Sequence, residues 1–403
     1  MTIEKRSFFL ILVALFSILT YLHFTAKETV ADKPFPDFGH YWSMSRLLMS
    51  GQDIWSGNRA VLDNYANLAK DNQFDLPVIP LHSIGFFLLV VPFALMPFPL
   101  AAIAWLILGH ILFFAAIWLL IKTCRNKPTL EDWCISAFFI FSFWPLREQT
   151  HMMQPNFLIL FFLALSVFLM LRNRMLLAGA SLGFAIQIRE YLAVMLLLLL
   201  LKKNWRAIIG VILAVILLRG AAIIAFGWPV EMSYWKYILS FGRAIHLSMH
   251  NFSFPAYIYR FGQGLLDRSL CSLFAVFSSL LFLGLSVFWT RKKGADISLI
   301  FSIFLVLCFL VAPWIHESHY VALYIPILIC WFKLENNSKY SLFVIFVMSY
   351  LLLGLRYSLI GFPRFYYGAF SFFNFGKLLG VILLFLLVGR LILNDNKPEN
   401  NVL

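Results

Sequence analysis

The sequence predicts an all-α polytopic membrane protein, and two observations support that prediction. The first is composition: 62% of the 403 residues are hydrophobic and only 13% are charged, whereas a soluble domain has roughly 25% charged residues. The second is a series of apolar runs close to the length of about 20 residues that a membrane-spanning helix needs. No long polar stretch separates these runs, so we expect a single integral membrane domain over residues 1–403.

Charge and cysteine content exclude several other classes of protein. The net charge is +13, but Lys and Arg gather on the cytoplasmic loops of membrane proteins, and no soluble basic face is present to bind nucleic acid. The five cysteines are scattered without a Cys-x-x-Cys pair or a Cys/His cluster. Neither a disulfide framework nor a zinc site is therefore expected.

Thirteen apolar segments are candidates for membrane helices, and we expect the first to remain uncleaved because no small-residue cleavage site follows it. If both the second and the third segment crossed the membrane, the alternation of inner and outer loops would break. One of these two is therefore expected to be partial or re-entrant, and we predict a bundle of 11 to 13 transmembrane or partial helices. The segments are 8–26, 80–98, 99–121, 131–146, 156–171, 176–188, 191–201, 205–226, 265–289, 296–313, 319–332, 340–360 and 374–393.

The distribution of Lys and Arg predicts which loops face the cytoplasm. With the basic clusters inside, residues 27–79 form a first outer loop with interfacial helices, and residues 228–262 form a second outer loop. Residues 394–403 form a polar cytoplasmic tail. Most of the unusual polar side chains then fall on the outer side, and charges at membrane depth tend to mark function because they are costly to place there.

Asp37 opens an amphipathic stretch in the first outer loop, with apolar residues recurring at helical spacing after it. The pattern predicts an interfacial helix. A carboxylate at such a position caps a helix favourably, and it can also serve catalysis; the sequence leaves both roles open.

Arg189 and Glu190 interrupt an apolar stretch that is too long for one span and short for two. One interpretation is a local salt bridge at a helix break. The other is a pair of half-helices whose junction presents Arg189 to an anion, because the planar guanidinium suits phosphate.

Two further polar segments lie on the outer side. His316, Glu317 and His319 open a late span, but the order His-Glu-Ser-His is not the HExxH of a metalloprotease, and a hydrogen-bonding or proton-handling role is favoured. Asn251 and Arg260 lie in an aromatic-rich loop, where Asn251-Phe-Ser is only formally a glycosylation sequon.

Several stretches, taken in order, resemble glycosyltransferase family 87, the polytopic GT-C-fold, mannosyltransferase-like enzymes that use polyprenyl-phosphate sugars. The resemblance covers roughly residues 35–330. The stretches that carry it are DFGHYWSMSRLLMSGQDIW, LHSIGFFLLVVPFALMPFPLAAIAWLIL, the run from QPNFLI through IREYL to KKNWRA, and the later NFSFPAYIYR and WIHESHYVALYIP.

Three positions depart from the usual pattern of that family. Met153 stands where Gly normally precedes Gln-x-Asn, and Arg189 stands where Lys is followed shortly by Pro. Pro313 begins a segment that is usually Ser-Trp-x-His, which leaves the role of its histidine to His316 or His319. These departures bear on the choice of sugar more than on the class of enzyme.

The resemblance implies inverting transfer of a hexose, with mannose as first candidate, from a polyprenyl-phosphate donor to a lipid-linked or glycan acceptor. Asp37 is the expected base, and inversion needs only one. We expect no cofactor, with the part of a divalent cation left open, and membrane lipids but no nucleic acid as further partners. The expected phosphate ligands are Arg189, Arg260, His319 and His316, and the expected sugar and acceptor pocket comprises His40, Gln154, Asn156, Glu190 and Asn251.

A transporter or flippase for an anionic lipid or glycolipid is the alternative. It would place ionisable groups near the membrane midplane and show repeated halves, whereas here the polar groups lie on one side. A related polymerase or ligase would rely on a large late outer loop, and a scaffold would tolerate loss of Asp37. The short tail without a retention signal favours a bacterial inner membrane with the active site facing outside.

Overall fold

The structure, a computed structural model, describes residues 3–29, 36–72, 81–241, 248, 250–292, 294–335, 340–356, 367–368, 371 and 375–395. Throughout these residues the regular secondary structure is helical, which confirms the predicted all-α class. The predicted tail 394–403 lies outside the described residues from position 396 onward.

Eighteen α-helices and two 3₁₀ helices follow one another in the described part of the chain. The α-helices are α1 Ile3–Thr29, α2 Pro36–Met49, α3 Arg59–Asp71, α4 Ile84–Ala94, α5 Phe98–Cys124, α6 Leu130–Phe141, α7 Trp144–Met152, α8 Asn156–Met170, α9 Met175–Ile188, α10 Leu196–Leu201, α11 Trp205–Phe226, α12 Trp228–Phe241, α13 Phe254–Gly262, α14 Arg268–Thr290, α15 Ile297–Val311, α16 Tyr324–Leu334, α17 Tyr340–Gly354 and α18 Gly376–Asn394. The 3₁₀ helices are Glu190–Met195 and Glu317–Leu323.

Five described helices are long and apolar enough to cross a membrane: α1, α5, α11, α14 and α18. Shorter apolar helices accompany them, among them α8, α9, α15 and α17. Long apolar helices whose side chains face outward are stable only in a lipid environment; on α14 and α11, large side chains such as Phe277 and Leu217 are 63% and 66% exposed. The chain is therefore an integral membrane protein.

The parity problem of residues 80–121 has a structural solution. α4 has 11 residues, a length of about 16 Å, which is half of the roughly 30 Å hydrocarbon core. A tight turn at Leu95–Pro97 then leads into α5, whose 27 residues are long enough to span. By length, α4 is too short to cross and α5 is long enough, which favours α4 as the partial segment of the two.

α15 lies at the centre of the bundle. All of its residues from Ser298 to Leu310 are buried, as expected for a helix that is apolar on every side. The 3₁₀ helix Glu317–Leu323 and α16 that follow are almost as completely buried. The loop that contains His316 is therefore held at both ends by deeply buried segments.

α9 and α11 approach each other more closely than ordinary side chains would allow. A Cβ atom built on Gly179 would lie 1.8 Å from the carbonyl oxygen of Ala207, and one built on Gly210 would lie 2.1 Å from that of Leu176. Gly179 and Gly183 form a Gly-x-x-x-Gly pair, the pattern that lets two membrane helices pack backbone to backbone. This contact fixes α9, and with it the position of Arg189 at its end.

We expect Gly179→Ala to destabilise the folded protein by about 1–3 kcal/mol, the usual cost of overpacking, because the added methyl group would collide with backbone rather than with a movable side chain. Gly220→Ala is the matched control on α11, since a Cβ atom there meets nothing within 4 Å. Thermal unfolding in detergent measures both. Equal midpoints for the two variants would contradict the close packing.

Candidate active site

Asp37 is the second residue of α2, and its carboxylate contacts a residue far away in the sequence. Its Oδ2 atom accepts a hydrogen bond from the side-chain amide of Gln154, in the junction between α7 and α8. The side chain is half-buried. Burial raises the pKa of the Asp37 carboxyl above its ordinary value, while the Gln154 hydrogen bond and the charges of Arg189 and His151 lower it.

The carbonyl oxygen of the Gln154 side chain is the centre of the polar cluster. It accepts from Arg189 Nη2 at 3.2 Å, from Asn156 Nδ2 at 3.1 Å and from Ser318 Oγ at 2.8 Å. Because a guanidinium group only donates, this oxygen must face Arg189, and the amide nitrogen must face Asp37. One planar amide thus joins the carboxylate to the guanidinium.

Gln149 on α7 supports the Gln154 amide through hydrogen bonds to Gln154 and Asn156. Its side-chain nitrogen donates to the backbone oxygen of Gln154, and its side-chain oxygen accepts from Asn156 Nδ2 at 2.7 Å. Gln149 and Asn156 are each only 1% exposed. Buried amides with their hydrogen bonds satisfied form rigid networks, so the direction of the Gln154 side chain is fixed.

The helix breaks at Arg189, as the sequence predicts. α9 ends at Ile188, Arg189 is extended with φ −143°, and the 3₁₀ helix Glu190–Met195 follows. The last carbonyl groups of α9 accept from two side chains that precede α4: Ile188 from His82 Nδ1 at 2.9 Å, and Gln187 from the Ser83 hydroxyl. These bonds satisfy carbonyl groups that a helix end leaves free, and they anchor the break.

Arg189 and its neighbour Glu190 have different partners. The Glu190 carboxylate accepts from the Tyr234 hydroxyl on α12, whereas Arg189 donates to Gln154. A salt bridge between Arg189 and Glu190 therefore does not stabilise this helix break. Arg189 is 7% exposed, and its Nε–H has no hydrogen-bond partner within the described residues.

The turn that carries His316 and His319 lies beside Gln154 through Ser318. The His316 backbone N–H donates to His319 Nδ1 at 3.2 Å, so in the neutral imidazole of His319 the proton is on Nε2. That Nε2 is buried and has no hydrogen-bond partner in the part of the chain that the structure describes. Arg189 and His319 therefore each bring an unsatisfied donor to the same polar cluster.

His316 itself is a neutral side chain at physiological pH. Burial, together with the nearby His250 and Arg189, lowers the pKa of His316 to about 3. Its contribution to an anion site would be a hydrogen bond rather than a positive charge.

Asn251 and Arg260 support the loop beneath His316 rather than entering the Gln154 cluster directly. The Asn251 side chain donates to Pro313 O at 2.8 Å and accepts from the backbone N–H of Ile315 at 3.1 Å. The Arg260 guanidinium donates to the Asn251 backbone oxygen at 2.8 Å and is only 2% exposed. Asn251 is itself fully buried, so its side chain is no acceptor for a glycan in the folded protein.

His40 lies one turn beyond Asp37 on α2, where its Nδ1 is 2.7 Å from the Tyr65 hydroxyl of α3. The structure thus brings Asp37, Gln154, Asn156 and Arg189 into one cluster with the turn of His316 and His319. His40 and Glu190 bond instead to Tyr65 and Tyr234, and Asn251 and Arg260 hold the loop before His316. Among the described residues, no group of three or more His, Cys, Asp or Glu side chains is arranged to hold a metal ion.

Sequence reasoning missed His82, Ser83, Gln149 and Ser318. Ser318 lies in the polar segment of His316, Glu317 and His319, but nothing in the sequence shows that Ser318 and Gln149 both bond to Gln154. His82 and Ser83 directly precede an apolar block. Polar residues at the edge of a hydrophobic segment were the available signal.

The sequence model of glycosyltransferase family 87 matches residues 81–313, more than half of the chain. The chain belongs to glycosyltransferase family 87. It is therefore a membrane-embedded glycosyltransferase, and the family assignment expected from the sequence is confirmed. No curated protein matches the chain. The matched range contains Gln154, Arg189 and Asn251, whereas Asp37 precedes it and His319 follows it.

Asn251→Ala should destabilise the protein by about 1–3 kcal/mol, because truncation leaves the buried N–H groups of Ser253 and Ile315 without their acceptor. Asn64→Ala, which removes an exposed hydrogen bond to Gln52, is the matched control and should change stability little. Thermal unfolding of the two purified variants measures the loss of stability in each. An Asn251→Ala midpoint equal to that of the control would show that the loop does not depend on this side chain.

Proposed function

We propose that the chain is an inverting glycosyltransferase that moves a hexose, with mannose as first candidate, from a polyprenyl-phosphate donor to the hydroxyl of a lipid-linked or glycan acceptor. The proposal includes a site on the outer side of the membrane, in a bacterial inner membrane. The observation that carries it is the Gln154 amide, which joins a carboxylate and a guanidinium in one cluster at the ends of apolar helices.

Asp37 is the proposed general base. In the reaction, the acceptor oxygen forms a bond to the anomeric carbon, the bond from that carbon to the phosphate oxygen breaks, and the hydroxyl proton passes to Asp37. A base is most effective when its pKa approaches the working pH. Burial raises the pKa of Asp37, while its hydrogen bond from Gln154 and the Arg189 charge keep the ionised form accessible.

Arg189 is the proposed principal ligand of the donor phosphate. Its Nε–H has no hydrogen-bond partner within the described residues and is buried, and a charge-assisted hydrogen bond to a phosphate oxygen is strong in such a setting. His319 Nε2 is the second proposed donor. Because a lipid phosphate leaves with its charge already delocalised, fixed donors that stabilise this charge serve it better than a proton would.

Gln154 and Asn156 are proposed to shape the sugar pocket, with His40, Glu190 and Asn251 around it. Gln154 also fixes the separation of base and phosphate ligand, since both groups bond to the same amide. Holding reacting groups at a set distance lowers the entropic part of the barrier. No cofactor is part of this proposal, and the transfer as written needs no metal step.

We expect Asp37→Asn to lower the transfer rate by about 10²–10⁴-fold, the usual contribution of a positioned base. Membranes containing wild type or variant receive radiolabelled polyprenyl-phosphate mannose and a lipid extract from the source cells, and organic-phase product is counted at equal expression. Asp63→Asn, an exposed carboxylate of α3, is the matched control and should retain activity. If the Asp37→Asn variant still transfers the sugar, Asp37 is not the base and its role is to stabilise the start of α2. Glucosyl and arabinosyl donors assayed in parallel test the choice of sugar.

Gln154→Met should move the acid limb of the pH profile of kcat/KM to higher pH. The variant removes a hydrogen bond that lowers the pKa of Asp37, so the base becomes protonated at a higher pH and activity fails earlier on acidification. Gln52→Met, in the loop after α2, should leave the limb unchanged. A shift toward lower pH in Gln154→Met would rule out this account of Asp37.

A further inference from the structure

We propose that Lys377 on the last described helix is a positioning residue for the transfer reaction, acting on the active site through Glu317. This inference rests on the proposed function, because it concerns how the same cluster is held. Lys377 and Glu317 both lie after the residues that match the family, 81–313.

Lys377 is the second residue of α18 and is completely buried. Its ammonium group donates to the backbone oxygens of Leu353 at 2.7 Å and Leu355 at 2.6 Å, at the end of α17. It also pairs with Glu317 Oε1 at 2.7 Å. Two of its three N–H groups thus donate to backbone carbonyl oxygens, and its contact with Glu317 is an ion pair.

Glu317 begins the 3₁₀ helix and stands between His316 and Ser318. Ser318 donates to the Gln154 carbonyl oxygen at 2.8 Å, and Gln154 donates to Asp37. A short path therefore runs from the end of α17 through Lys377 and Glu317 to the proposed base.

The chemistry of this path favours positioning over simple anchoring. Bonds to two backbone carbonyl groups already use two of the three N–H groups of the ammonium. These two bonds would be sufficient to hold the start of α18 against the end of α17. The ion pair reaches instead to a carboxylate in the turn that carries Ser318 and His319. A charge pair with little exposure and several hydrogen bonds holds its partners in a narrow range of geometry.

Glu317→Gln separates the two roles, since Lys377 keeps its carbonyl partners when the carboxylate is neutralised. We expect kcat to fall by about 10- to 100-fold, as misplacement of reacting groups typically causes, with little change in the donor KM. The acid limb of the kcat/KM profile should move to higher pH, the direction expected for Gln154→Met, because Gln154 is less firmly held against Asp37. Kinetics and thermal unfolding are measured on the full chain with the same lipid-linked donor.

Asp296→Asn is the matched control. Asp296 pairs with Lys333 at the opposite end of α15, and Asn retains its capacity to cap that helix. This variant should lower the unfolding midpoint while kcat and the acid limb stay at wild-type values. If Glu317→Gln does not fold, Lys377→Gln/Glu317→Gln leaves neither member of the buried ion pair charged and should show the same shift of the limb.

The outcomes are distinguishable. A Glu317→Gln enzyme, or the double variant in its place, with the wild-type kcat and acid limb would overturn the positioning role while leaving the proposed function intact. A wild type that transfers none of the lipid-linked sugars would refute the proposed function, and this inference with it. Loss of kcat together with the upward shift of the limb supports a positioning role for the Lys377–Glu317 pair.

Discussion

The position of the active-site cluster depends on a single amide. Gln154 donates to a carboxylate on one side and accepts from Arg189, Asn156 and Ser318 on the other. In an apolar protein body each of these polar groups would be costly without a partner, and most of these partners come from different helices. The requirement to satisfy them together therefore sets where α2, the α7–α8 junction, the end of α9 and the 3₁₀ turn must meet.

Interrupted helices provide these groups. Irregular backbone at membrane depth is tolerated only where protein or a cavity covers it, and here the breaks cover one another. The carbonyl groups freed at the end of α9 accept from His82 and Ser83. Before His316, the Pro313 carbonyl accepts from Asn251 and the Ile315 carbonyl from the Phe252 N–H. Each break supplies polar side chains to the cluster and has its own backbone satisfied by a neighbouring segment.

Local sequence patterns predicted the features that local physics controls. The helical class and the break at Arg189 follow from apolar periodicity and from charge within an apolar run. The alternation of loops predicted that one of the segments 80–98 and 99–121 is partial, but not which one. The partners of Arg189 and Asp37 could not be predicted in this way. Gln154 lies 35 residues from Arg189, 117 from Asp37 and 164 from Ser318, and such pairings depend on tertiary packing. For the same reason Glu190, the neighbour in sequence, was a plausible partner for Arg189 but bonds to Tyr234 instead.

Met153 shows how strongly the fold requires the turn before Gln154. The resemblance to the family leads one to expect Gly at this position, and the backbone explains why: Met153 ends α7 in the left-handed region, with φ 52° and ψ 39°. A residue with a Cβ atom loses roughly 1–2 kcal/mol in that conformation. The Met153 side chain is 2% exposed, and its carbonyl oxygen accepts from the Trp105 indole at 3.0 Å. Apolar burial and this hydrogen bond offset the strain, so the turn that directs Gln154 toward Asp37 is kept even without the glycine that would make it easy.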